Sequence, residues 1–103
     1  MSKAQIRAAL RESYEDLDAD KAVYLDGKNE VALADFLEAA TYWGTPVWEA
    51  ACPTEYTAGY WEVTAVYVLA DNEIDALAAA EYWYGSDVDD EFGPATAIRI
   101  WEP

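Results

Sequence analysis

The sequence predicts a single domain of the α+β class, and three observations carry that reading. Apolar residues recur at helical spacing in three separate stretches, and runs rich in Val, Ile, Tyr and Trp lie between them. Two of the helical stretches share a residue pattern at a fixed offset. At 103 residues, 53% of them hydrophobic and 15% aromatic, the chain is long enough to bury one core and too short for two.

At the N-terminus, Ser2 followed by Gln5 has capping-box spacing. Ile6, Ala9, Leu10, Tyr14 and Leu17 then recur on one helical face, so a helix is expected over 3–17 within an N-terminal unit of 1–19. Lys3, Arg7 and Arg11 lie four residues apart on another face, where they oppose the helix macrodipole. Charge complementarity predicts that they dock against the acidic body of the same molecule, with a partner contact as the alternative. A strand follows over 21–26, through Ala22-Val23-Tyr24-Leu25, and then a helix over 30–43 with Asn29-Glu30 at its start. Gly44 is placed as its stop, and Thr45-Pro46 turns the chain into a strand over 46–51. Over 60–69, Trp61, Val63, Ala65, Tyr67 and Leu69 alternate with a second set that is only partly polar, which suits a central strand covered on both faces. Asn72-Glu73 opens a helix over 72–84, Gly85 closes it, and Gly93-Pro94 leads into a last strand over 95–102.

Asp35, Leu37, Ala39, Ala40, Tyr42 and Trp43 match Asp75, Leu77, Ala79, Ala80, Tyr82 and Trp83 at an offset of 40. An internal duplication into halves 20–62 and 63–103 accounts for this; convergence of two alanine-rich helices is the alternative. The element order behind the first helix is βαββαβ. Two helix-crossed units joined by a hairpin make a four-stranded antiparallel sheet with helices on one face, the ferredoxin-like plan. The alternative is another α+β sandwich in which 46–51 is loop.

Charge says most about function. Lys and Arg number 6 and Asp and Glu 21, for a formal net charge of −15. Between Asn29 and Ile98 there are 14 Asp or Glu and no Lys or Arg. Direct binding to nucleic acid or to an anionic membrane is therefore disfavoured. No apolar run reaches the length of a membrane span, and a cytoplasmic location is expected. The chain has no histidine, which removes the commonest general base and metal ligand. Ser2, Ser13, Ser86 and Cys52 have no recognisable base to activate them, and Cys52 between alanines and Pro53 reads as a small half-buried residue. Among so many acids a carboxylate pair is inevitable and carries no information about glycosidase chemistry. No catalytic residue and no enzymatic activity are expected.

Asp87, Asp89, Asp90 and Glu91 crowd the last loop with a spacing like that of a calcium loop. However, Phe92 stands where the sixth-position glycine belongs and Ile98 where the twelfth-position acid belongs. Neither a metal site nor a cofactor is expected. Tyr24, Trp48 and Trp101 suggest a stacking face like that of RNA-binding sheets, but the net charge opposes this, and packing is the plainer role. Tyr42 and Tyr82 are better placed for a protein interface, because each shares a helix face with an aspartate seven residues earlier.

These features predict a non-enzymatic acidic protein that mimics nucleic-acid phosphates and inhibits a basic nucleic-acid-binding protein or nuclease. The expected contact residues are Asp35, Glu38, Tyr42, Asp75, Tyr82, Asp87, Asp89, Asp90 and Glu91. Small acidic anti-defence inhibitors made by phages and mobile elements share this character of charge and size, although no motif matches any one family. The alternative is a small assembly or regulatory domain, its acidity reflecting high-salt adaptation or its surface forming a homodimer.

Overall fold

A computed structural model describes residues 2–13, 23–57, 60–84 and 96–103. Its elements are α1 (Ser2–Ser13), β1 (Tyr24–Asp26), β2 (Asn29–Val31), α2 (Leu33–Trp43), β3 (Val47–Thr57), β4 (Tyr60–Leu69), α3 (Glu73–Tyr84) and β5 (Thr96–Trp101). The α+β class is as expected, but the sheet has five strands in the order β2-β1-β4-β3-β5. It is mixed rather than wholly antiparallel: β1 runs parallel to β4, and every other neighbouring pair is antiparallel.

The difference begins at Asp26-Gly27-Lys28-Asn29. Asp26 pairs with Asn29 across a two-residue loop, and Gly27 takes φ +61 at the first loop position. Among the described residues no non-glycine has a positive φ, so the loop carries the sign pattern of a II′ hairpin turn. Asn29 and Glu30 therefore lie in a strand and do not open the helix. The helix starts at Leu33 behind Ala32, which has an extended backbone and no side-chain capping bond. Helix α3 does start as expected: the Asp75 amide donates to Asn72 Oδ1 at 2.9 Å, and Asn72 Nδ2 donates to Asp75 Oδ2 at 3.1 Å.

This extra strand redirects the topology. β2 fills the free edge of β1, the position that the last strand takes in a ferredoxin-like sheet. β5 pairs instead with the outer edge of β3. The crossovers β2-α2-β3 and β4-α3-β5 then step across the sheet in the same sense between oppositely running strand pairs. Two such crossovers of one hand must place their helices on opposite faces.

That is the observed arrangement, and it corrects the expectation of helices on one face. Ala76, Ala79 and Ala80 of α3 pack with Leu25, Trp48, Ala50, Val66 and Val68. On the other face Ile6 and Leu10 of α1 and Phe36, Leu37 and Ala40 of α2 pack with Tyr24, Val47, Tyr67 and Leu69. Strand alternation assigns each residue to its layer: Tyr24 against Leu25, Val47 against Trp48, Tyr67 against Val68. Tyr24 stacks on Tyr67 at 5.6 Å between centroids and meets Phe36 at 5.1 Å. On the opposite face, Trp48 Nε1 donates a buried hydrogen bond of 2.8 Å to the Ala70 carbonyl. Tyr24, Trp48 and Trp101 are thus divided between two packed faces and form no exposed stacking platform.

Strand β3 continues well past the expected end at residue 51. Its pairing with β5 stops at Ala51, so Pro53 lies on a stretch whose only described neighbour is β4, where a missing donor is tolerated. The edge strands are short or charged, β2 with Glu30 and β5 with Arg99, which discourages edge-to-edge pairing. The expected continuation of the first helix over 14–17, Gly85, Gly93-Pro94 and the side chains of Cys52, Trp61 and Val63 lie outside the described residues.

Candidate functional site

The outer surface of α2 is built by its own periodicity. Phe36, Leu37 and Ala40 are buried, which turns Asp35, Glu38 and Tyr42 outward. Steps of three and four residues keep these three on one continuous helical stripe. Asp35 lies in the first turn, where it complements the macrodipole. Tyr42 and Trp43 end the helix with 75% and 74% of their surface exposed, their rings meeting edge to face at 4.8 Å.

Trp43 was not among the expected contact residues. Seven positions after Phe36, it falls on the buried side by periodicity, yet it is exposed. Its adjacency to Tyr42 is the sequence feature that marks it.

Gly44 (φ 63, ψ 41) then closes α2, with its amide and that of Thr45 both directed to the Ala40 carbonyl. Thr41 Oγ1 donates to the Leu37 carbonyl at 2.9 Å. The last turn contains no basic residue, so the negative end of the helix dipole lies beside the aromatic pair.

Asp75 and Tyr82 occupy α3, across the sheet from α2. Offset 40 holds here in part: Ala32 and Asn72 are the N-cap positions, and Tyr82 is exposed as Tyr42 is, but Trp83 is 38% exposed against 74% for Trp43. The two surfaces nevertheless differ. Asp75 is engaged in capping α3, and Lys28 Nζ lies 4.8 Å from the centroid of the Tyr82 ring. Tyr82 therefore already has a cation over its face. The structure brings Asp35, Glu38 and Tyr42 together and sets Asp75 and Tyr82 apart from them. Asp87, Asp89, Asp90 and Glu91 lie outside the described residues.

A cleft of about 490 Å³ lies beside the Tyr82 surface, at the carboxyl ends of the parallel strands β1 and β4. Asp26, Asp71, Asp75 and Lys28 contribute its charged lining. The α3 N-terminus there favours an anion, but three carboxylates oppose one. Among the described residues no group of three or more His, Cys, Asp or Glu is arranged to hold a metal ion. No described helix is long and apolar enough to cross a membrane.

The electrostatic setting is one of unpaired acids. Among the described residues the only ion pair is Arg99–Glu102, at 3.3 Å with both side chains at least half exposed. Such a pair contributes little to stability. Arg99 also lies over the Trp48 ring at 5.9 Å. Lys3, Arg7 and Arg11 form no ion pair with the described acids, where docking against the acidic body was expected. Helix α1 buries Ile6 and Leu10 and leaves all three cations exposed. Among the carboxylates whose exposure is described, only Glu49 is half-buried; burial in β3 raises its pKa above the ordinary value.

No family model, curated protein or solved structure matches the chain.

Proposed function

We propose that this protein is a non-enzymatic acidic binding protein that imitates the phosphates of a nucleic acid and blocks the basic site of a nucleic-acid-binding protein or nuclease. The observation that carries the reading is the carboxylate surface left without cations. The 70 residues from Asn29 to Ile98 hold 14 acids and no Lys or Arg, and the described acids outside β3 and β4 are solvent-exposed. Stability alone gives no reason to keep such repulsion, whereas a cationic target does. Asp35, Glu38 and Tyr42 form one contact stripe; Asp75 and the acids at 87, 89, 90 and 91 are assigned to the same role by charge. The protein acts where its target is, in the cytoplasm, in the manner of an anti-defence inhibitor of phages or mobile elements.

The test is capture of partners from a host lysate at near-physiological salt, with duplex DNA or RNA as the eluting competitor. Release of a basic nucleic-acid-binding protein, followed by mutually exclusive binding of the purified components, supports the proposal. Capture of a partner that nucleic acid leaves in place contradicts it.

High-salt adaptation is the second reading, favoured by the same excess of acids. A halophilic domain needs molar salt to fold, whereas the inhibitor folds at ordinary ionic strength. Melting temperature measured against salt concentration separates the two.

A further inference from the structure

We infer that the Tyr42–Trp43 pair at the C-terminal end of α2 is a receptor for a guanidinium group, and that the basic partner docks an arginine there and not on the equivalent Tyr82–Trp83 pair of α3. This specifies the contact within the proposed function and rests on it.

Three observations on the α2 side converge. The rings of Tyr42 and Trp43 are both about three-quarters exposed, an unusual concentration of apolar surface on an otherwise acidic helix. Their edge-to-face contact at 4.8 Å lets each ring hold the other in place while leaving π faces open to solvent. A pair ordered in advance loses less freedom on binding than two independent side chains. The field at this point is negative from two sources, the unneutralised C-terminus of α2 and the carboxylates of Glu38 and Asp35 on the same stripe. A cation over an aromatic face is attracted by the ring quadrupole, and a planar guanidinium can stack there as well.

The α3 side supplies the comparison. Its Tyr82 occupies the matching position at offset 40 and already has the Lys28 ammonium at 4.8 Å from its centroid. The same kind of site is therefore filled from within the molecule on one face of the sheet. On the other face no cation from the described residues lies over either ring. The two-faced topology keeps these environments apart, so one arginine site per chain is expected.

The experiment is titration of the full chain, isotopically labelled, with an arginine homopeptide at low ionic strength, following the Trp43 indole N–H. A citrulline homopeptide, which keeps the shape and removes the charge, is the control. The double variant Tyr42→Leu/Trp43→Leu keeps apolar bulk at exposed positions and removes the π faces. The expected result is a shift of the Trp43 signal, about tenfold weaker binding in the double variant, unchanged binding in Tyr82→Leu, and no binding of the citrulline peptide. Equal affinity in the double variant overturns the arginine site and leaves the acidic-surface proposal standing. A loss in Tyr82→Leu as large as in the double variant overturns the asymmetry between the faces. Failure of the wild-type chain to bind the arginine peptide at all overturns both the site and the reading beneath it.

Discussion

Glu49 and Gly44 show how single residues carry costs that the rest of the fold absorbs. Glu49 sits in β3 opposite Tyr67 on one side and Ile98 on the other, and burial raises its pKa above the ordinary 4.5. A carboxyl whose folded pKa is raised favours the folded state at pH below its unfolded value. That contribution is lost as pH rises through the folded value. Glu49→Gln is therefore expected to stabilise the protein at pH 7, by an amount that shrinks to nothing below pH 4.5; paired thermal melts at the two pH values check it. Gly44 needs its left-handed backbone (φ 63), whereas a Cβ added there meets Pro103 only at an ordinary contact distance of 3.8 Å. Conformation alone then sets the penalty. Gly44→Ala should cost about 1 kcal/mol in denaturant unfolding, and a neutral result would mean that α2 ends in some other way.

At the scale of elements, the offset of 40 gives a paired prediction. Asn72 caps α3 with its side chain, while the matching Ala32 holds an extended, cap-ready backbone without one. Removing the cap with Asn72→Ala should cost about 1 kcal/mol, and Ala32→Asn should return a similar amount; chemical denaturation measures both. The elements themselves were largely legible in the sequence. Strand β4 runs over the expected residues 60–69, an apolar, β-branched and aromatic run that marks a strand covered on both faces. The Asn72 start of α3 was legible from its cap residue, and the end of α2 from Gly44.

The missed sheet topology came from one short element. Asp26-Gly27 is a hairpin signal, but Asn29-Glu30 also suits a helix start, and a three-residue strand is too short to show a period. Which reading wins depends on whether the edge of β1 finds a partner, a long-range condition that local sequence does not contain. Once β2 takes that edge, β5 moves to the far side of β3 and the helices divide between the two faces. The candidate site inherits the consequence. Asp35 and Asp75 look equivalent along the chain and are separated by the sheet in space. The stripe of Asp35, Glu38 and Tyr42 could be read from helical spacing, whereas the exposure of Trp43 runs against that spacing.

For the whole molecule, a net charge of −15 with one described ion pair makes self-repulsion the main electrostatic contribution. Added salt shortens the screening length from about 10 Å at 0.1 M to about 3 Å at 1 M, so melting temperature should rise smoothly with salt from an already folded state. A chain unfolded at 0.1 M would instead point to high-salt adaptation. The sheet faces over Val47–Ala50 and Val66–Leu69 are covered by helices on both sides, which leaves no bare sheet face there for a dimer. The most direct measurement of the central claim is a competition assay on the captured target, with labelled duplex DNA or RNA bound in its basic site. Stoichiometric displacement by this protein, weakened by salt and by the charge-removing pair Asp35→Asn/Glu38→Gln, is the predicted result. A ternary complex in which target, nucleic acid and this protein coexist would contradict it.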